Sequence, residues 1–224
     1  MSTRPILVTG FEPFGGMASN PSLLAARELD GRSLDGWKII GRELPVSFAR
    51  ISERLDRLIE QFAPAAVIGL GLAPGSPALR LERVAVNLAD FDIPDNDGSR
   101  LSDLPVSRTG PAARFSTLPL ADIRAALLDA GVPAILSPSA GTYLCNACLY
   151  CLLELIERRN LDTPAGFIHV PMTPEQVAGQ QRNAGAAADA PAPSMDLSRI
   201  IAGVEVAIRE TARALSQGRA AARA

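Results

Sequence analysis

The chain has 224 residues, 47% hydrophobic and 21% charged, which fits one globular domain and excludes general disorder. Lys and Arg number 22 against 24 Asp and Glu, for a net charge of −2 with a single His, a balance that argues against nonspecific nucleic-acid binding. Aromatic residues at 4% leave too few rings for a base-stacking platform.

Taken in chain order, Pro5 to Gly10 is a buried strand ended by glycine. Asn20 and Pro21 then supply a helix N-cap and a proline at the first helical position. A second strand is predicted near Trp37 to Leu44. Ser47 opens a helix on which Ile51, Leu55, Leu58, Ile59 and Phe62 repeat at helical spacing. Ala65 to Leu70 is another buried strand, and Leu79 to Leu88 is a looser extended one. Residues 91–113 are rich in Pro, Asp, Asn, Gly and Ser and are expected to form a long loop of the kind found at binding sites. A helix follows from Leu120 to Ala130, then a strand over Pro133 to Leu136, a turn over Ser137 to Gly141, and a helix from Thr142 to Arg159. Gly166 to Val170 is the last clear strand, and a helix starts after Pro174. Residues 185–193 are Ala/Pro-rich and predicted as a surface excursion. The last helix is expected over Asp196 to Arg213, with 214–224 as a fraying tail.

This alternation implies a single α/β domain over residues 1–224, with a mostly parallel sheet covered on both faces. Sites in such sheets gather beyond the strand C-terminal ends, here after Gly10, Leu70 and Ser137 and at His169. The apolar run after Pro5 is too short for a signal-peptide core, and no run reaches the roughly 18 apolar residues of a membrane span. All three cysteines lie within seven residues, a poor disulfide framework that suits a reducing compartment. A cytoplasmic protein without membrane or nucleic-acid partners is expected.

Cys145, Cys148 and Cys151 have C-x2-C-x2-C spacing, which raises a metal-binding module as one reading. On a helix, however, Cys145 and Cys151 are separated by about 9 Å of rise and about 120° of rotation, so one ion cannot reach all three sulfurs. Cys148 and Cys151 are expected to be small buried side chains. Cys145 falls in the first turn of a helix, where unpaired N–H groups and the positive dipole end favour a thiolate or an oxyanion. A thiol nucleophile needs a base, and His169 is the only imidazole available. From the pattern alone it is equally a packed core histidine. Glu82 stands in an otherwise apolar strand, either to orient the imidazole or to pair with Arg80 or Arg83. The loop Gly10 to Gly16 lacks a phosphate-binding pattern; Phe11 and Phe14 make it an apolar slot or a lid.

Together these stretches resemble the pyroglutamyl peptidase I family of cysteine peptidases. The resemblance rests on Val8–Gly16 (VTGFEPFGG), Gly69–Pro74 (GLGLAP), Glu82–Asn87 (ERVAVN), Ile93–Asn96 (IPDN), Ser139–Asn146 (SAGTYLCN) and Gly166–Pro171 (GFIHVP), in the family's order. It implies a three-layer α/β/α sandwich with a mostly parallel mixed sheet, a homotetramer, no cofactor and no metal. It also implies removal of N-terminal pyroglutamate from peptides by a triad of Cys145, His169 and Glu82. Phe11, Phe14, Ile93, Tyr143 and Leu144 match residues that line the family's lactam pocket, and Asn20 matches an asparagine near it. At Leu72, where many relatives carry Gln, backbone contacts would serve instead. Arg80 replaces a usual Ser or Thr and is expected to ion-pair with Glu82 across one strand face and so to weaken the hold of Glu82 on His169; Asp92 replaces a frequent Arg, and Met172 a common Tyr. The departures leave a thiol amidase of different specificity on the same fold as the alternative.

Overall fold

Strands that are apolar on both faces need cover on both sides, and the helices between them supply it. The computed structural model describes residues 4–184 and 191–221. Strands β1 (Ile6–Phe11), β2 (Ser33–Leu34), β3 (Trp37–Leu44), β4 (Ala66–Leu72), β5 (Leu79–Glu82), β8 (Ala134–Ser137) and β9 (Ala165–Val170) form a seven-stranded sheet in the order β2-β3-β1-β4-β9-β5-β8. β2/β3 and β9/β5 are antiparallel and the other neighbours parallel. β6 (Val84–Val86) and β7 (Ala113–Phe115) make a separate two-stranded sheet.

Helices α1 (Pro21–Leu29), α3 (Leu120–Asp129) and α6 (Leu197–Ala221) cover one face through a core that includes Leu29, Leu79, Leu81, Ile168 and Ile208. Helices α2 (Phe48–Phe62) and α4 (Leu144–Arg158) cover the other, around Leu55, Val67, Leu149, Tyr150 and Phe167. Helix α5 (Pro174–Ala184) closes one end, its Val177 packing with Leu72 and Met172. The result is the expected α/β/α sandwich with a mostly parallel mixed sheet in one domain. Among the described residues, no helix is long and apolar enough to cross a membrane.

Several local expectations need correction. The stretch from Leu79 to Leu88 is two strands in two sheets, because the backbone of Arg83 turns to serve both: its N–H donates to Ser137 O, and its carbonyl accepts from Ser116 N. The last residue of the expected 91–113 loop already belongs to β7, and Leu104 within the loop bridges Ala89, just before it. α4 begins at Leu144, after an extended Tyr143, rather than at Thr142. α6 continues past Arg213 to Ala221. Most of the Ala/Pro-rich stretch and residues 222–224 lie outside the described residues. β8 runs against β9, so the end of β8 at Ser137 lies level with Phe167 rather than with the ends of β1, β4 and β9.

Candidate active site

Strand alternation decides which side chains meet. On β9, Ile168 and Val170 point to the α1/α3/α6 core, so Phe167 and His169 face α4. On β5, Leu79 and Leu81 take the first core, leaving Arg80 and Glu82 on the α4 side. The antiparallel register sets Arg80 opposite His169 and Glu82 opposite Phe167. The diagonal between the strands then brings Glu82 Oε1 to 2.8 Å from His169 Nδ1. Glu82 is fully buried and His169 nearly so.

Nδ1 is thereby engaged, and Nε2 is left for the far side of the ring, where α4 presents Cys145. The thiol and the imidazole line the same cavity, close enough for each to feel the other's charge. Burial is the largest influence on His169 and disfavours its charge, but Cys145 first and Glu82 next outweigh it, raising the imidazole pKa to about 9. Cys145 stands in the first turn of α4, where the first intrahelical bond is Ala147 N–H to Tyr143 O at 3.1 Å. The amides of Leu144, Cys145 and Asn146 precede that bond and have no helical carbonyl to serve.

The other two sulfurs differ. Burial pushes the Cys148 thiol well above its ordinary value and raises Cys151 to about 12. Both are free thiols on the α4 side of the core, Cys148 fully buried as expected and Cys151 only partly, at the edge of the cluster. Among the described residues, no group of three or more His, Cys, Asp or Glu converges to hold a metal ion.

A cavity of about 480 Å³ opens above Cys145 and His169. Its wall includes Phe11, Phe14, Asn20, Leu72, Ile93, Tyr143 and Leu144, all of which the sequence picked out. Tyr143 packs on Phe91 at 4.7 Å and on Phe14 at 6.1 Å between centroids, and its hydroxyl donates to Pro94 O at 3.1 Å. Leu72 belongs to a small cluster with Met172 and Val177, against which Phe14 rests. Asn20 is fully employed: Oδ1 accepts from the Ser22 N–H at 3.1 Å and the Ser22 hydroxyl at 2.8 Å, and Nδ2 donates to Glu12 O at 3.2 Å. Ser22 Oγ in turn accepts from Phe11 N–H. Glu12 Oε1 accepts from Val46 N–H and Asn96 Nδ2, so the Phe11–Phe14 loop is latched to α1, β3 and the 87–113 segment together.

The family profile described as Pyroglutamyl peptidase matches residues 4–214. The chain belongs to the pyroglutamyl peptidase family. A pyrrolidone-carboxylate peptidase of Thermococcus kodakarensis is 46% identical over 204 residues, covering 91% of this chain and 94% of the relative. Another from Pyrococcus furiosus is 41% identical, covering 92% and 98%. The solved structure of pyrrolidone carboxyl peptidase from Thermococcus litoralis superposes with a TM-score of 0.91 at 39% identity, over 96% of each chain.

Two residues of this pyroglutamyl peptidase, Asn146 and Gly71, escaped the sequence reading, and a third, Arg80, does more than it expected. Asn146, beside Cys145, is buried; it accepts from Val86 N–H and donates to the carbonyls of Val86 and Leu88, at 2.9 Å each. It pins the start of α4 to β6, and its place next to Cys145 was the available signal. Gly71, opposite His169 across β4/β9, leaves the space that the Cys145 sulfur occupies. Arg80 does pair with Glu82, Nε to Oε1 at 3.2 Å, yet the 2.8 Å contact of Glu82 with His169 is kept, because Oε1 accepts from both; Arg80 also donates to Ser137 Oγ at 2.8 Å and Ser139 O at 3.3 Å. Those two contacts come from β8 and the turn beyond it, which no local pattern joins to β5.

Proposed function

We propose that the chain is a cysteine peptidase that removes N-terminal pyroglutamyl residues from peptides through a thioester on Cys145. The observation that carries this reading is the imidazole of His169 held between the Glu82 carboxylate and the Cys145 thiol at the floor of an apolar cavity. His169 takes the Cys145 proton, and the thiolate attacks the carbonyl between pyroglutamate and the next residue. The free amides at the head of α4 donate to the oxyanion, each such donor contributing about 3 kcal/mol in comparable sites. As the tetrahedral adduct collapses, the C–N bond breaks and His169 gives its proton to the departing amine. Water, deprotonated by His169, then adds to the thioester, and pyroglutamate leaves as the thiolate is restored. Glu82 keeps Nε2 aimed at the sulfur and stabilises the imidazolium. No step calls on a metal or cofactor.

Phe11, Phe14, Ile93, Tyr143 and Leu144 give the lactam an apolar slot, closed on one side by Leu72 and anchored by Asn20. A free N-terminal Glu or Gln would carry an ammonium into that slot at a desolvation cost that the uncharged lactam avoids. The test compares chromogenic amides of pyroglutamate, proline and glutamine. The pyroglutamyl amide should be turned over at least about 100-fold faster, the equivalent of about 2.7 kcal/mol. Comparable rates on the other two would make the chain a thiol amidase of another specificity.

The working form is a cytoplasmic homotetramer in this reading. Apolar side chains left exposed at Phe115, Ile135 and Leu136, two of them on the edge strand β8, support self-association. Light scattering on the purified protein should give four subunits; a monomer at working concentration would refute it.

A further inference from the structure

Arg80 is the cation beside the Glu82–His169 pair, and it has no part in the chemistry above. It lies directly opposite His169 in the antiparallel register, and its side chain is 35% exposed, whereas Glu82 beneath it has no exposure at all. Glu82 Oε1 accepts from both His169 Nδ1 and Arg80 Nε, while Oε2 is buried without a hydrogen-bond partner. The far end of the guanidinium is held by Ser137 Oγ and Ser139 O, and Ser137 Oγ donates to the same carbonyl at 3.1 Å. The cation is therefore fixed in place and cannot swing into solvent without giving up three contacts.

We infer that Arg80 is a positioning residue whose charge balances the reactive cluster, so that the thiolate–imidazolium form of Cys145 and His169 is electrically neutral as a group. This rests on the peptidase reading for the roles of Cys145, His169 and Glu82. In that form the cluster holds two anions, Cys145 and Glu82, and two cations, His169 and Arg80. Burying the first three alone would leave a net negative charge in a poorly solvated site, which is costly.

The surroundings offer no substitute cation among the described residues. β4 presents Gly71 to the ring, and β9 presents Phe167. α4 brings Cys148 and its N-cap Tyr143, and the segment after β6 brings Asp90 and Asp92 to the cavity mouth. Arg100 on that segment is spent on the carbonyls of Phe91 and Asp92. Without the charge of Arg80, Glu82 would have the imidazolium as its sole counter-ion, and the imidazolium would hold its proton to higher pH. The thiolate would form less readily beside a net negative group. Both changes move the active pH window upward.

The test measures the rate of iodoacetamide alkylation at Cys145 against pH, by peptide mapping, in the wild type, Arg80→Gln and Arg80→Lys. The pH profile of kcat/KM on a pyroglutamyl amide is measured alongside. Arg80→Gln should shift both limbs up by about half to one pH unit, a one-unit shift being tenfold in the ionisation constant. Arg80→Lys, which keeps the charge, should restore both limbs to the wild-type position even if kcat falls. Limbs that stay put in Arg80→Gln, or move down, would overturn the inference and leave Arg80 a packing residue. Should Arg80→Gln fail to fold, Arg80→Thr carries the same comparison. A wild type that leaves pyroglutamyl amides intact while its alkylation profile still shifts in Arg80→Gln would refute the peptidase reading and uphold the charge balance.

Discussion

The sulfur of Cys145 sits where a side chain on Gly71 would be: a Cβ built on Gly71 would lie 2.7 Å from Cys145 Sγ and 2.7 Å from Phe167 Cζ. Gly71 pairs with His169 across β4/β9, so the thiol lies over the sheet at the level of the imidazole. The glycine at this point of the Gly69–Pro74 stretch is a steric requirement of the site rather than of a turn. Neither neighbour can yield easily, since Phe167 is fully buried and α4 is fixed by Asn146.

Gly71→Ala should therefore displace the thiol. Overpacking of this kind costs about 1–3 kcal/mol of stability, and kcat/KM should fall by about 100-fold or more as the sulfur loses its line to the imidazole. Thermal unfolding and kinetics on one preparation separate the two effects. A variant with wild-type kcat/KM would show that the sulfur does not need this space.

Glu82→Gln preserves shape and removes charge. Its amide oxygen can still accept from Nδ1 and from Arg80 Nε, but the negative charge that stabilises the imidazolium is gone; a comparable carboxylate-to-amide change costs roughly 10⁴-fold in kcat. A loss of roughly 10³-fold or more is expected, measured as kcat on a pyroglutamyl amide. A loss below about tenfold would show that the reaction does not need the Glu82 charge.

Stability should fall as pH rises through the His169 titration. The imidazole pKa is about 9 in the fold against an ordinary 6.5. The folded state therefore binds the proton more tightly, and that contribution is complete below about pH 6.5 and lost by about pH 9. Urea unfolding between pH 6 and 10 should show this decline in the wild type and a flatter profile in His169→Gln. The alkaline limb of kcat/KM should fall near pH 9 for the same reason. Identical slopes for wild type and variant would contradict the assignment.

Cys148→Ser tests the opposite expectation. Cys148 is fully buried and its thiol stays protonated, so it takes no part in the proposed steps. The substitution should cost about 1–3 kcal/mol for a hydroxyl without a partner and leave turnover within a few-fold. A folded but inactive Cys148→Ser would make it more than a neighbour of the nucleophile.

Much of this was legible in the sequence where the physics is local. Asn20 caps α1 and Ser47 caps α2, each through its own side-chain oxygen, and strands such as β1 and β4 announce themselves as apolar runs between turn residues. The first-turn position of Cys145 followed from the Gly141 turn before it. What local pattern could not show is long-range register. Glu82 and His169 are 87 residues apart, and their meeting depends on β5 running antiparallel to β9. The handover of Arg83 between two sheets and the reversed direction of β8 depend on pairings with distant residues, so no period in the sequence reports them. Gly71 lies just past the strand expected over Ala65 to Leu70 and drew no role, because its reason is a sulfur on another element.

The central claim is a covalent one, and mass spectrometry of the enzyme quenched during turnover tests it most directly. With a pyroglutamyl ester or amide in excess, the wild type should carry one pyroglutamyl group on the peptide containing Cys145, and Cys145→Ser should carry none while remaining folded. Acylation at Cys148 or Cys151, or full turnover by Cys145→Ser, would contradict the account.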